Sequence, residues 1–154
     1  MTKNFTTLEI LNIVAWYKQA RESEKKPLNS LPLNIQWNLK RNIEKLTPIV
    51  ESFNSFRDEL DTQLQTEYST DEKSYDATDE EGNQIRKIKE EYFEDFRAKT
   101  DELNQKLNEI LFNSNEVSIS TVNLDKVFNE ETLTDLTMDD LDILSFMNED
   151  NGDA

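Results

Sequence analysis

Residues 33–67 read LNIQWNLKRNIEKLTPIVESFNSFRDELDTQLQTE, and this stretch decides the fold. Its apolar side chains recur every three or four positions, at Ile35, Leu39, Ile43, Leu46, Ile49 or Val50, Phe53, Phe56, Leu60 and Leu64. This period predicts a helix with one buried stripe, long enough to make the molecule elongated. Because Pro48 removes a backbone N–H inside the run, the sequence predicts a kink near residue 48 or a break into two helices.

A second apolar stripe predicts another long helix over residues 84–112. The stripe consists of Ile85, Ile88, Tyr92, Phe96, Leu103, Leu107, Ile110 and Leu111. Residues 69–83 are polar and acidic and contain the turn residue Gly82, so we expect them to form a connector. The predicted fold is therefore mainly α, with a long antiparallel helical hairpin in which Phe93 and Phe96 lie near Phe53 or Phe56.

A shorter helix is predicted at about residues 6–25. Thr6 and Glu9 occupy the two positions of a capping box, and Pro27 follows the last charged turn. Trp16 and Trp37 lie near the junction of this helix with the long one. Aromatic residues at such a junction form either core or an interface anchor. The pattern favours core for one of the two and does not indicate which.

One segment has the alternation of a β-strand. Val117, Ile119 and Thr121 alternate with polar residues, which predicts one or two short strands near residues 116–127. A single strand needs a partner for its backbone groups. The open alternatives are a strand within residues 69–85, a second piece at 122–127, or the same segment of another copy, giving a homo-oligomer through residues 116–122.

A short helix is predicted at residues 137–147, where Thr137 is a suitable N-cap followed by acidic residues. It is interpreted either as a closing helix docked on the hairpin or as an acidic amphipathic motif that lies in a partner's groove. The candidate partner-binding residues are Asp139, Asp140, Leu141, Leu144, Phe146 and Met147. We expect residues 1–147 to form a single domain and residues 148–154 to form a disordered acidic tail.

The net charge of −16 is unevenly distributed. Residues 1–68 contain nine acids and nine bases, whereas residues 69–81 contain six acids and one base, and residues 113–154 contain eleven acids and one base. The predicted helices are thus nearly neutral, and the connector and the C-terminal region carry the excess. A field of this sign repels nucleic acids and anionic membranes, so direct binding to either is not expected.

Residue types restrict the chemistry. The chain has no Cys and no His, so catalysis would fall to carboxylates, Lys, Ser, Thr or Tyr. It contains no phosphate-binding glycine loop, no nucleophile elbow and no dinucleotide fingerprint. We expect no enzymatic activity, no cofactor and no metal site. The absence of a signal peptide pattern and of long apolar runs predicts a soluble cytosolic protein.

The order of motifs resembles a known group of proteins. The relevant stretches are Ser30-Leu31-Pro32-Leu33, Asn42 to Leu46, Phe56 to Leu60, Asp79 to Asn83, Asp101 to Asn104, Val117-Ser118-Ile119 and Leu141 to Met147. Together they resemble a family of small proteins of unknown function encoded by tailed bacteriophages. This resemblance implies a protein of the host cytoplasm with a phage or host protein as partner. The expected function is a non-enzymatic accessory or assembly role through protein–protein contacts. The alternative is an acidic inhibitor that mimics nucleic acid and blocks a host DNA- or RNA-binding protein.

Overall fold

The computed structural model describes residues 1–128 and 136–149, and for Val127 and Phe128 only the backbone. The fold is mainly helical, as predicted. The chain divides into two compact units, Met1–Glu51 with Phe112–Ala154, and Ser52–Leu111. The first is called the core unit below and the second the distal unit. The predicted tail falls outside the described residues except for Asn148 and Glu149.

The core unit contains most of the buried apolar residues. Its elements are strand β1 (Thr2–Thr6), helix α1 (Thr7–Glu22), a 3-10 helix (Pro27–Ser30), the first half of helix α2 (Leu33–Tyr68), strand β4 (Ser114–Ser118), helix α4 (Leu124–Phe128), helix α5 (Met138–Leu144) and a 3-10 helix (Ser145–Met147). In α1 the predicted cap is confirmed, since Thr6 Oγ1 accepts a hydrogen bond from the Glu9 N–H at 3.1 Å. Helix α1 then buries Ile10 and Ile13 on the core side.

The predicted strand is confirmed near its expected position, but neither of the two partners expected within the chain pairs with it. Strand β4 pairs antiparallel with β1 at the N-terminus, with Lys3 opposite Val117 and Phe5 opposite Asn115. The segment at 122–127 contributes a single parallel bridge from Val122 to Asn148 before α4 begins. Strand β4 therefore has a partner strand within the chain, and pairing with another copy through residues 116–122 stays a prediction.

A buried amide joins α2 to the segment after β4. The side chain of Asn42 is completely buried. Its Nδ2 donates to the Ser120 carbonyl at 2.9 Å, and its Oδ1 accepts from the Ser120 N–H at 2.8 Å. These two bonds satisfy both backbone groups of Ser120 in a place where β4 has ended. The Met147 sulfur lies 4.0 Å from the same Nδ2, so three distant segments meet at Asn42.

Helix α2 continues through Pro48 without a break. Proline cannot donate to the carbonyl one turn earlier, and this normally interrupts a helix. Here Leu46 is fully buried, and Ile49 and Val50 pack against the same core cluster. Tertiary packing therefore maintains the helix on both sides of Pro48, and the predicted alternative of two separate helices is not found.

The distal unit differs most from prediction. It contains the second half of α2, strands β2 (Ser74–Thr78) and β3 (Gln84–Ile88), a 3-10 helix (Glu90–Tyr92) and helix α3 (Phe93–Leu111). Strands β2 and β3 form an antiparallel hairpin. The predicted connector at 69–83 therefore includes a strand, and the predicted helix at 84–112 is wrong for residues 84–92. Only the part from Phe93 onward is α-helical.

The β-hairpin is held by local polar bonds rather than by a buried face. Gly82 adopts a φ of +84°, a conformation that is unstrained only for glycine. Asp79 Oδ1 accepts from the N–H groups of Glu81 and Asn83 at 3.0 and 2.8 Å, which closes the turn. Arg86 then reaches across to Asp71 and Asp76, at 2.9 Å to each carboxylate.

A tyrosine organises the contact between α2 and α3. Tyr68 is buried, and its ring meets Phe96 edge-on with 5.0 Å between the centroids. Its hydroxyl donates to Asp95, and Lys99 pairs with Glu67 beside it. Phe96 thus contacts Tyr68 and not Phe53 or Phe56 as expected, because α3 begins nine residues later than the predicted helix. Contacts at these two helix ends do not confirm the long hairpin.

We predict that Asn42→Leu destabilises the protein strongly. Both backbone groups of Ser120, which is half-buried, would lose their partner, at a cost of up to about 1–3 kcal/mol each. The melting temperature measured by circular dichroism should fall by roughly 5–10 °C. Asn34→Ala, on an exposed position of the same helix, is the control and should change it little. A melting temperature unchanged in both variants would contradict the role assigned to Asn42.

Candidate functional site: the closing helix and the Trp37 groove

The six residues predicted to bind a partner differ in burial and fall into three groups. Leu144, Phe146 and Met147 are buried in the core unit, and the Phe146 ring meets Phe5 edge-on at 6.2 Å. Leu141 and Asp140 are half-buried, and Asp139 is exposed. This arrangement matches the closing-helix interpretation. Whether any of the six binds a partner stays a prediction, and in this packing the three buried side chains are covered by the chain itself.

Asp140 connects the closing helix to α1. One carboxylate oxygen accepts from the Trp16 indole Nε1 at 2.8 Å, and the other accepts from the Thr137 N–H at 2.9 Å. Thr137 Oγ1 in turn accepts from the Asp140 N–H at 3.2 Å, completing a reciprocal capping box. Burial opposes ionisation of the Asp140 carboxyl, but the bonds from Thr137 and Trp16 together lower its pKa below the ordinary value of 3.8.

The direction of this pKa shift predicts how stability depends on pH. Because the folded-state pKa is lowered, the Asp140 contribution is complete above pH 3.8 and is lost as pH falls through the lowered value. We expect Asp140→Asn to reduce the free energy of unfolding by about 1 kcal/mol near neutral pH, after allowing for partial exposure. The difference from the unmodified protein should then shrink below pH 3.8.

Denaturant titrations between pH 2.5 and 7 would measure this difference. Asp139→Asn removes the same charge from the exposed neighbouring position and should reproduce neither the loss at neutral pH nor its decline in acid. Equal behaviour of the two variants would contradict the role given to the Trp16 and Thr137 bonds.

A second feature lies on the other side of α1. The last turns of α1, the 3-10 helix Pro27–Ser30 and the first turns of α2 enclose a groove of about 370 Å³. We call it the Trp37 groove and define it by its lining residues, Tyr17, Arg21, Leu28, Asn29, Leu33, Gln36, Trp37, Leu39 and Lys40. The floor consists of Leu28 and Leu39, which are buried. The two walls are helical faces, one from each helix.

The wall formed by α2 exposes large apolar side chains. Leu33 is 81% exposed and Trp37 is 58% exposed. Leu33, Trp37 and Lys40 are spaced by four and three residues, so they share one face of the helix. The floor beneath them is also apolar. Leu33 and Trp37 therefore form a small apolar surface above an apolar floor, in a lining that also contains the polar side chains of Asn29 and Gln36. Single exposed apolar side chains on most proteins need no explanation, but two beside a buried floor do.

Two cations border this apolar surface. The Arg21 guanidinium lies over the Tyr17 ring at 5.8 Å, and the Lys40 ammonium lies 5.9 Å from the centroid of the Trp37 ring. Arg21 also donates to the Tyr17 hydroxyl at 3.2 Å. Among the residues that the structure describes, no carboxylate lines the groove. The groove is therefore a locally basic, aromatic surface on a chain with a net charge of −16.

The two tryptophans near the junction of α1 and α2 have different environments. Trp16 packs against the core cluster and is bonded to Asp140, so it has the structural role. Trp37 is the exposed one. The sequence contained a signal for the groove, because Leu33, Trp37 and Lys40 lie off the main stripe of α2. Only the position of α5, far along the chain, shows which tryptophan is covered.

Within residues 1–128 and 136–149, no group of three or more acidic residues is placed to hold a metal ion. None of the helices described there combines the length and apolar content needed to cross a membrane. Comparisons of the chain with family models, curated proteins and solved structures found no match.

Proposed function

We propose that this protein is a non-enzymatic accessory or assembly protein of a tailed bacteriophage, acting in the host cytoplasm through protein–protein contacts. The phage setting and the location rest on the resemblance in sequence motifs. The proposed contact surface is the Trp37 groove. We also propose that α2 and α3 lie antiparallel along their length, because Tyr68 and Glu67 at the end of α2 contact Phe96 and Lys99 near the start of α3.

The exposure of Leu33 and Trp37 above a buried apolar floor is the observation that carries the contact function. A folded chain loses stabilisation when large apolar side chains remain in water, at about 25 cal/mol per Å². A partner that covers the groove would recover this free energy. Trp and Arg are also the residue types most enriched among those that dominate the affinity of protein interfaces. The groove presents both within one surface.

The alternative function, mimicry of nucleic acid, depends on how the acidic residues are used. A mimic needs carboxylates that are fixed, exposed and unpaired. In residues 69–81, Asp71 and Asp76 pair with Arg86, Asp79 closes the turn, and Glu72 accepts a hydrogen bond from the Tyr92 hydroxyl. Four of the six acids in this stretch thus have local partners, so the geometry favours the contact function.

The test is capture of partners from lysates of the host, with and without infection. We expect the tagged protein to retain a phage or host protein, and Trp37→Ala to reduce its recovery at least fivefold without lowering the melting temperature, because Trp37 is largely exposed. Phe112→Ala is the matched control, since Phe112 is 68% exposed and lies outside the groove. Recovery is quantified by mass spectrometry.

A salt series separates the two functions. Recovery of virion or assembly proteins that depends on Trp37 and survives moderate salt would support the contact function. Recovery of a nucleic-acid-processing enzyme that is independent of Trp37 and is lost steeply as salt rises would instead favour mimicry. Equal loss of partner in Trp37→Ala and Phe112→Ala would contradict the assignment of the groove.

A further inference from the structure

We infer that the Trp37 groove binds an acidic peptide segment of a partner protein, with one large apolar side chain seated on the groove floor and carboxylates next to Arg21 and Lys40. This inference rests on the proposed contact function of the groove and adds the chemistry of its occupant. Three features of the groove lead to it: its size, the composition of its floor and the sign of its charge.

The volume of the groove and its apolar floor favour binding of one large apolar side chain. A groove of about 370 Å³ can enclose one large side chain with some adjoining backbone, but it is too small for a folded element. Leu28 and Leu39 form its buried floor, and Trp37 and Leu33 stand at its side. An aliphatic or aromatic side chain placed there would remove apolar surface from water on both partners.

The positive charge of the groove favours carboxylates next to the bound apolar side chain. The two charged lining residues, Arg21 and Lys40, are both cationic. The Glu44 carboxylate lies 4.0 Å from the Lys40 ammonium, and both side chains are more than half exposed, so this pair is weak and easily exchanged. A guanidinium has five N–H donors. Those of Arg21 that do not bond Tyr17 can bind a carboxylate in bidentate geometry.

A nucleic acid fits these observations less well, although aromatic rings and cations can also bind bases and phosphates. A single-stranded nucleic acid needs a basic track along its backbone. The groove supplies two cations, and the rest of the chain has a strong negative excess. A short acidic peptide brings only a few charges, and all of them can lie within reach of Arg21 and Lys40.

The test begins with a displayed library of random peptides selected on the full-length protein. Trp37→Ala is used to remove peptides that bind elsewhere. We expect the enriched sequences to combine one aromatic or aliphatic residue with an excess of Asp and Glu. Enrichment of basic or uncharged sequences, or no enrichment over the Trp37→Ala background, would overturn the inference.

Calorimetric titration of one enriched peptide then locates its charges. The double variant Arg21→Gln with Lys40→Gln should weaken binding about tenfold, as expected for the loss of two partly exposed ion pairs. Replacing the peptide's acids with Asn and Gln should have a similar effect. Arg41→Gln removes an exposed cation outside the groove and should leave the affinity unchanged. Affinity that is insensitive to the double variant would overturn the inference.

A single-stranded oligodeoxynucleotide of ten thymidines, titrated in parallel, covers the competing occupant. Tighter binding of this probe than of the peptide, lost in the double variant, would overturn the inference in favour of nucleic acid. If acidic peptides fail while lysate capture still depends on Trp37, only the inference fails. If capture is also independent of Trp37, the proposed function fails with it.

Discussion

The core unit depends on pairing the backbone groups of the segment that follows β4. After β4 ends at Ser118, Ile119 still exchanges two backbone hydrogen bonds with Met1. The next residue, Ser120, bonds to a side chain of α2 instead of to a strand. Each backbone group costs free energy if it is buried without a partner. Asn42 provides both partners for Ser120 from a single side chain. The position of this segment also determines where Val122 meets Asn148, and therefore where the closing helix must end.

The sequence predicted those elements whose signal is local. The caps at Thr6 and Thr137 lie next to the helices that they begin, and both are confirmed. The long helix α2 is confirmed because its apolar stripe persists on both sides of Pro48. The β2–β3 hairpin was missed because its strands alternate weakly and most of their residues face solvent. Ile85 and Ile88, three residues apart, were assigned to a helical period. The turn at Gly82 between two five-residue segments was the available signal for a hairpin.

The candidate site could be predicted only in part, because its local signals are visible in the sequence and its long-range packing is not. The helical spacing of Leu141, Leu144 and Met147 predicted a closing helix, and their burial agrees with that interpretation. Which tryptophan it would cover is a question of long-range packing, since Trp16 and Asp140 are 124 residues apart. Strand β1 was missed because a five-residue strand ending at a helix cap leaves no periodic pattern. Its pairing with β4 joins the first residues of the chain to Ser114–Ser118, more than 100 residues later.

The contacts in the structure change the interpretation of the acidic residues at 69–81. In the sequence, the excess of negative charge in residues 69–81 suggested an acidic connector between nearly neutral helices. In the fold, Asp71 and Asp76 pair with Arg86, and Asp79 accepts hydrogen bonds in the turn, so half of these acids stabilise the hairpin. Opposite charges act strongly only within about 8 Å at physiological ionic strength. Arg21 and Lys40 are the charged groups that line the Trp37 groove, and Glu44, 4.0 Å from Lys40, offsets part of their potential. The net charge of −16 acts mainly by disfavouring large polyanions. A groove of this kind distinguishes a short acidic segment from a nucleic acid, although the two carry charge of the same sign.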